Sequence, residues 1–151
     1  MLKKKELEFE INNNILSVAD FDWYIDRIDA IYVRHSVVGK KCEYAIFIQQ
    51  GGEIDELYFR TPDEMIIARE YKKLCNALKE VNPLFDNSVQ FPVLINYANL
   101  KRVEGRKNKR FLEYIINFQF KNSELNINGS EKKINKILEK LNEINETNVT
   151  I

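Results

Sequence analysis

The sequence predicts an α+β fold of two tandem units, each an antiparallel sheet followed by a helix (ββββα-like), forming one pseudo-symmetric domain. Three observations predict it. The stretch "CEYAIFIQQ" at 42–50 returns as "LEYIINFQF" at 112–120, an offset of 70 at which Glu43, Tyr44, Ile46 and Gln49 meet Glu113, Tyr114, Ile116 and Gln119. Phe21, Ile25 and Val33 meet Phe91, Ile95 and Val103 at the same offset. Each copy then ends in a segment with a single apolar stripe at helical spacing, so two such units would close one core between them. The single domain spans residues 1–151, with repeat units at about 1–81 and 88–146 and a joint at 82–90.

Each element has a local reason. "KELEFEI" and "ILSVAD" flank "NNN", a strand–turn–strand, and residues 24–35 add a strand that is irregular at its start. In 42–50 strict alternation sets Tyr44, Ile46 and Ile48 on one face, the period of a half-buried strand. Paired glycines in "QQGGEID" make a turn, and "ELYFR" is the next strand. "TPDE" opens a helix, with Thr61 as cap, Pro62 at the first helical position and Glu64 completing a capping box. Ile67, Tyr71, Leu74 and Leu78 form its stripe, and Pro83 lies past its end.

In the second copy "VQFPVLI" and "ANLKRV" are the first strands, with Pro92 suited to an edge or a bulge. Leu112, Tyr114, Ile116, Phe118 and Phe120 share one face of the next strand. "ELNI" at 124–127 answers "ELYF" at 56–59 at an offset of 68, which a turn two residues shorter would explain. Ser130 can cap a last helix striped by Ile134, Ile137, Leu138, Leu141 and Ile144.

With 44% hydrophobic and 30% charged residues and a net charge of zero, the composition is globular. Neutrality argues against nucleic-acid binding by bulk charge and leaves room for a local basic surface. No apolar run approaches the roughly 20 residues of a membrane span. The opening "MLKKKELEFE" lacks the apolar region of a signal peptide. A cytoplasmic protein with no membrane partner is expected. Abundant Asn, Lys and Ile suggest AT-rich coding DNA, as in a low-GC bacterium or its phage. Cys42 and Cys75 are too few and too far apart for a disulfide framework or a metal knuckle.

His35 is the one histidine, and no carboxylate or second histidine stands at ligand spacing beside it. There is no phosphate loop and no nucleophile elbow. Asp26 and Asp29 are better read as caps of backbone groups than as a catalytic pair. The expectation is therefore no enzyme, no metal and no cofactor.

The densest charge lies in "KRVEGRKNKR" at 101–110, six basic residues and one acidic, where Gly105 and Asn108 suit a hairpin tip. Two readings fit Lys101, Arg102, Arg106, Lys107, Lys109 and Arg110: a solvated tip, or a set of phosphate contacts. The first copy carries a basic hairpin at the same place, with Arg34, Lys40 and Lys41. If Ile31, Val33, Tyr44, Ile46, Ile48, Leu57 and Phe59 face the helices, the opposite sheet face carries Tyr32, Arg34, Phe47, Tyr58 and Arg60. Aromatic rings interleaved with Arg can stack unpaired bases, at roughly 1–3 kcal/mol per base. The same residues can instead pair across strands, or pack against the other copy or a second chain as in a homodimer.

On element order the chain resembles the Whirly and Pur-repeat class of single-stranded nucleic-acid-binding domains, two sheet-plus-helix units with basic hairpins. The resemblance implies a non-enzymatic protein that binds single-stranded DNA or RNA on its sheets or between its hairpins. The first copy also resembles the strand–strand–strand–capped helix end of bacterial pleckstrin-homology-like domains. That likeness implies the alternative, a protein-interaction or inhibitor module with no nucleic-acid binding.

Overall fold

The computed structural model of the protein describes residues 6–86, 93–108 and 113–129, together with Lys132, Asn135 and Glu139. The fold is mixed α+β, with three antiparallel sheets and one helix described in full. Strands β1 (Glu10–Asn12), β2 (Ile15–Val18) and β3 (Phe21–Tyr24) form a small meander. Asn13 and Asn14 turn between β1 and β2 at φ 48° and 65°, a left-handed pair that Asn tolerates better than most residues. A 3-10 turn at Ile25–Arg27 follows β3.

Next come β4 (Ala30–Val38), β5 (Lys41–Gln50), β6 (Glu53–Thr61) and the helix α1 (Glu64–Val81). The chain continues through β7 (Phe85–Asp86), β8 (Val93–Asn96), a 3-10 turn at Tyr97–Asn99, β9 (Leu100–Asn108), β10 (Glu113–Phe120) and β11 (Glu124–Gly129). Five strands run in the order β6-β5-β4-β8-β7, and three more in the order β11-β10-β9. Thus β8 lies beside β4 and β7 beside β8, in the sheet of the first half of the chain. Asp86 ends β7 inside the expected joint, and Pro92 and residues 87–90 fall outside the described residues.

The expectation of one core closed between two units is corrected. The five-stranded sheet has a separate apolar cluster on each face. On one face Ile31, Ile46, Ile48, Leu57 and Phe59 meet Ile67, Tyr71, Leu74 and Leu78 of α1, joined by Leu16, Val18 and Trp23 of the meander. On the other, Ala30, Tyr32, Val93 and Ile95 meet Ile116, Phe118, Phe120, Leu125 and Ile127 of the three-stranded sheet. Strand alternation makes this possible, since Ile31 and Tyr32 are neighbours in sequence and point into different clusters. Every residue of β8 is buried for the same reason.

Two local expectations also change. The helix is capped by Asp63, whose side chain accepts from the N–H groups of Met65 and Ile66 at 2.9 and 3.2 Å. Thr61 is still paired to Tyr44 at the end of β6, so the helix starts two residues later than "TPDE" suggested. The turns are not of different length either. Gln50 pairs with Glu53 across Gly51 and Gly52, and Phe120 N–H donates to Ser123 O across Lys121 and Asn122. The two extra residues of the first copy sit in a bulge of β6, where Ala45 faces Arg60 but Phe47 faces Glu56. The apolar stripe of the last helix lies outside the described residues, of which Lys132, Asn135 and Glu139 are helical and exposed.

Helix α1 holds the amino-terminal segment through a buried carboxylate. Glu70 is fully buried, accepts the Leu7 N–H at 2.9 Å, and is covered by Arg69 at 2.8 Å and Lys73 at 3.0 Å. Burial pushes its pKa up, but the hydrogen bonds from Arg69, Leu7 and Lys73 together outweigh burial and hold it below 4.5. Its stabilisation is therefore present above that ordinary value and lost as the pH falls through the lower folded one. Glu70→Gln should cost about 1–3 kcal/mol at neutral pH by urea unfolding. The gap from the parent should narrow as the pH is taken below 4.5. A gap independent of pH would show that the charge of Glu70 contributes nothing.

Candidate nucleic-acid interface

Alternation along β4 sends Tyr32 and Arg34 to the face of the second cluster. The register pairs Tyr32 with Phe47, and their rings stack with centroids 6.1 Å apart at 19°. The Arg34 guanidinium lies 5.1 Å from the Tyr32 centroid and 5.8 Å from that of Phe47. Each such contact is worth about 0.5–1 kcal/mol at an exposed site. Burial raises the Tyr32 pKa, against the opposing charge and hydrogen bond of Arg34. Tyr32 is only 3% exposed and belongs to the core, Phe47 is half-buried against that same cluster, and Arg34 is exposed. No carboxylate among the described residues pairs with Arg34.

Arg60 is exposed but neutralised. It bonds Glu56 twice, at 2.6 and 2.9 Å, and lies 4.0 Å from Glu43. Four residues along an extended strand span about 13 Å; the β6 bulge shortens that reach and brings Glu56 to Arg60. Tyr58 lies inside the bulged stretch, and its side chain falls outside the described residues. At the β4–β5 turn, Gly39 takes φ +64° and leaves Lys40 and Lys41 exposed. Beside them His35 stacks on Tyr44 at 4.5 Å.

The other basic group borders a cleft of about 560 Å³ lined by Lys101, Arg102, Gln119, Lys121, Ser123 and the carboxylate residue Glu124. Lys101 is the extra residue of a bulge, since Arg102 pairs with Gln119 and Leu100 with Phe120. Arg102 is bound to Glu104 at 2.6 Å. Lys101 and Lys121 have no carboxylate partner among the described residues. Lys121 was missed in the sequence because it stands alone in a two-residue turn; only the fold brings it to the cleft beside Lys101. Arg106 and Lys107 continue β9 opposite Ile115 and Tyr114, but their side chains, like Lys109 and Arg110 altogether, fall outside the described residues.

A polar staple fixes the β10–β11 turn against the five-stranded sheet. Asp29, 4% exposed, accepts from Ser123 Oγ at 2.7 Å, Gly51 N–H at 3.0 Å and Asn99 Nδ2 at 3.1 Å. Gln49, 2% exposed, donates to Glu124 O at 2.8 Å and Ser123 Oγ at 3.0 Å, and accepts from Tyr32 OH at 3.4 Å. Asp29 thus binds backbone and side-chain donors, as its sequence suggested, whereas Asp26 bonds Asn14 Nδ2 at 2.8 Å at the surface.

Among the described residues no three His, Cys, Asp or Glu come together as metal ligands, and no helix is long and apolar enough to cross a membrane. Burial pushes the Cys75 thiol up to about 12, so it is protonated at neutral pH and carries no nucleophile. Comparison with known proteins found no matching family model, no matching curated protein and no matching solved structure.

The staple is open to direct measurement. Asp29→Ala should cost about 1–3 kcal/mol, since it leaves buried donors unpaired. In a double-mutant cycle with Ser123→Ala, urea unfolding should give a coupling of about 0.5–3 kcal/mol. Strict additivity would mean that the Asp29–Ser123 bond does not join the sheets.

Proposed function

We propose that the chain is a non-enzymatic, cytoplasmic protein that binds single-stranded DNA or RNA through its two basic hairpins. The observation that carries this reading is the set of exposed or cleft-lining cations left without a carboxylate partner among the described residues: Arg34, Lys40, Lys41, Lys101 and Lys121. Arg60 and Arg102, by contrast, spend their charge on Glu56 and Glu104. In this reading the free cations, with Arg106, Lys107, Lys109 and Arg110, contact phosphates and set affinity rather than sequence preference. Arg34, whose guanidinium lies beside two rings, can bind a phosphate or stack a base. Phe47 and Tyr58 supply the stacking part.

We further propose that the chain is a tandem duplication forming one pseudo-symmetric domain. Supporting it, β6-β5-β4 and β11-β10-β9 have the same order, and the pairs Phe47↔Glu56 and Asn117↔Asn126 differ by 70 at both positions. A 3-10 turn precedes β4 and another precedes β9.

Titration with fluorescent single-stranded oligonucleotides should show affinity falling steeply with salt, as phosphate contacts release counterions. Replacing Arg106, Lys107, Lys109 and Arg110 together by Gln should lower affinity and flatten the salt slope by up to about 3, with thermal stability nearly unchanged. Tyr58→Ala should lower affinity without changing the slope. No binding at low salt would remove the nucleic-acid reading and leave the protein-interaction one.

A further inference from the structure

The molecule has a second surface, opposite in sign to the hairpins. Strand β6 is the edge of the five-stranded sheet, and a cleft of about 410 Å³ borders it, lined by Phe21, Asp22, Trp23, Glu53, Ile54 and Asp55. Phe21 and Ile54, both lining this cleft, are 49% and 50% exposed, beside a strand with no further neighbour on that edge among the described residues. Asp22 bonds the Ser17 hydroxyl and Asp55 accepts from Trp23 Nε1 at 3.3 Å. No cation among the described residues pairs with Asp22, Glu53 or Asp55. Carboxylates beside exposed apolar side chains suit a strand that carries ammonium or guanidinium groups on an aliphatic stem.

We propose that this cleft and the edge of β6 dock the basic edge strand β9 of a second copy of the chain. Strand β9 is itself a sheet edge. Its residues Leu100–Asn108 carry Lys101, Arg102, Arg106 and Lys107 against one Glu104, whereas β6 carries Glu53, Asp55 and Glu56 against one Arg60. Among the described residues neither edge has a further strand; such edges offer N–H and C=O groups to each other, and the opposite charges set which edge meets which. A net charge of zero removes the long-range repulsion that keeps strongly charged copies apart. The contact is heterologous, because the two surfaces differ, so the assembly grows as a ring or an open chain rather than closing as a two-fold dimer. It needs no nucleic acid, and an oligonucleotide bound to β9 competes with it.

Sedimentation velocity of the full chain without oligonucleotide tests it. Association should rise with protein concentration at low salt and weaken at moderate salt. Glu53→Lys with Asp55→Lys should leave a monomer, and so should Lys101→Glu with Arg102→Glu. The variant carrying all four changes should associate again, since the charge pattern is then reversed on both sides. Circular dichroism melts verify that each variant folds. Should Asp55→Lys unfold the chain by removing the partner of Trp23, Glu53→Lys alone should still weaken association by roughly tenfold. A monomer at low salt at every concentration overturns the proposal. So does association that both charge reversals leave unchanged, or that occurs only when oligonucleotide is added.

Discussion

Strand β4 is packed on both faces, and the rest of the architecture depends on that constraint. Ile31 enters the cluster under α1, while Ala30 and Tyr32 enter the cluster under the three-stranded sheet. A strand buried on both sides needs partners on both edges, or its backbone groups are left unpaired in an apolar layer. Strand β5 supplies one edge and β8 the other, which is why a segment distant in sequence is inserted beside β4. The Asp29–Gln49 staple then fixes how the second sheet sits, by binding the β10–β11 turn at Ser123 and Glu124. Polar bonds do this better than more apolar contacts would, because an apolar face tolerates sliding and a buried carboxylate with three donors does not.

The same constraint decides the fate of the aromatic–Arg face. Burying an aromatic side chain against a second sheet gains about 1.5–3 kcal/mol in every folded molecule. Stacking a base gains about 1–3 kcal/mol only when ligand is present. Tyr32 is accordingly a core residue, and Arg34 caps the pair from the solvent side. On β5 and β6 the carboxylates of Glu43 and Glu56 lie with Arg60, at 4.0 and 2.6 Å.

Local features were legible in the sequence and long-range ones were not. The period of two in 42–50 gave the faces of β5 correctly, and the stripe of Ile67, Tyr71, Leu74 and Leu78 gave the buried side of α1. Both follow from backbone geometry alone. Alternation shows that a strand has two faces, but not what covers the second. Nothing near Tyr32 in sequence states that Ile116 and Phe118 will lie on it. The cap moved from Thr61 to Asp63 because β6 pairs through Thr61, again a contact from outside the local stretch. Lys121 and the staple residues escaped notice for a related reason, as single polar residues acquire a role only when the fold brings them beside others.

The proposed duplication, taken with the layering, accounts for where the two halves differ. Ile46 and Ile48 correspond to Ile116 and Phe118, and all four are buried; the first pair meets α1 and the second meets the reverse of the first sheet. The units therefore stack in one direction, and their reverse faces meet different surroundings. The reverse of the first must be apolar, and there stand Tyr32 and Phe47. At the matching positions of the second stand Arg102 and Asn117. Asn117 belongs to a polar net with Glu124, Asn126 and Gln119 at 2.8–3.1 Å, and Arg102 pairs with Glu104. Side-by-side packing about a two-fold axis would have asked the same chemistry of both reverse faces. Stacking allows different chemistry on the two reverse faces, so Tyr32 and Phe47 give way to Arg102 and Asn117, while the polar pairs Glu43–Glu113 and Gln49–Gln119 are kept on both.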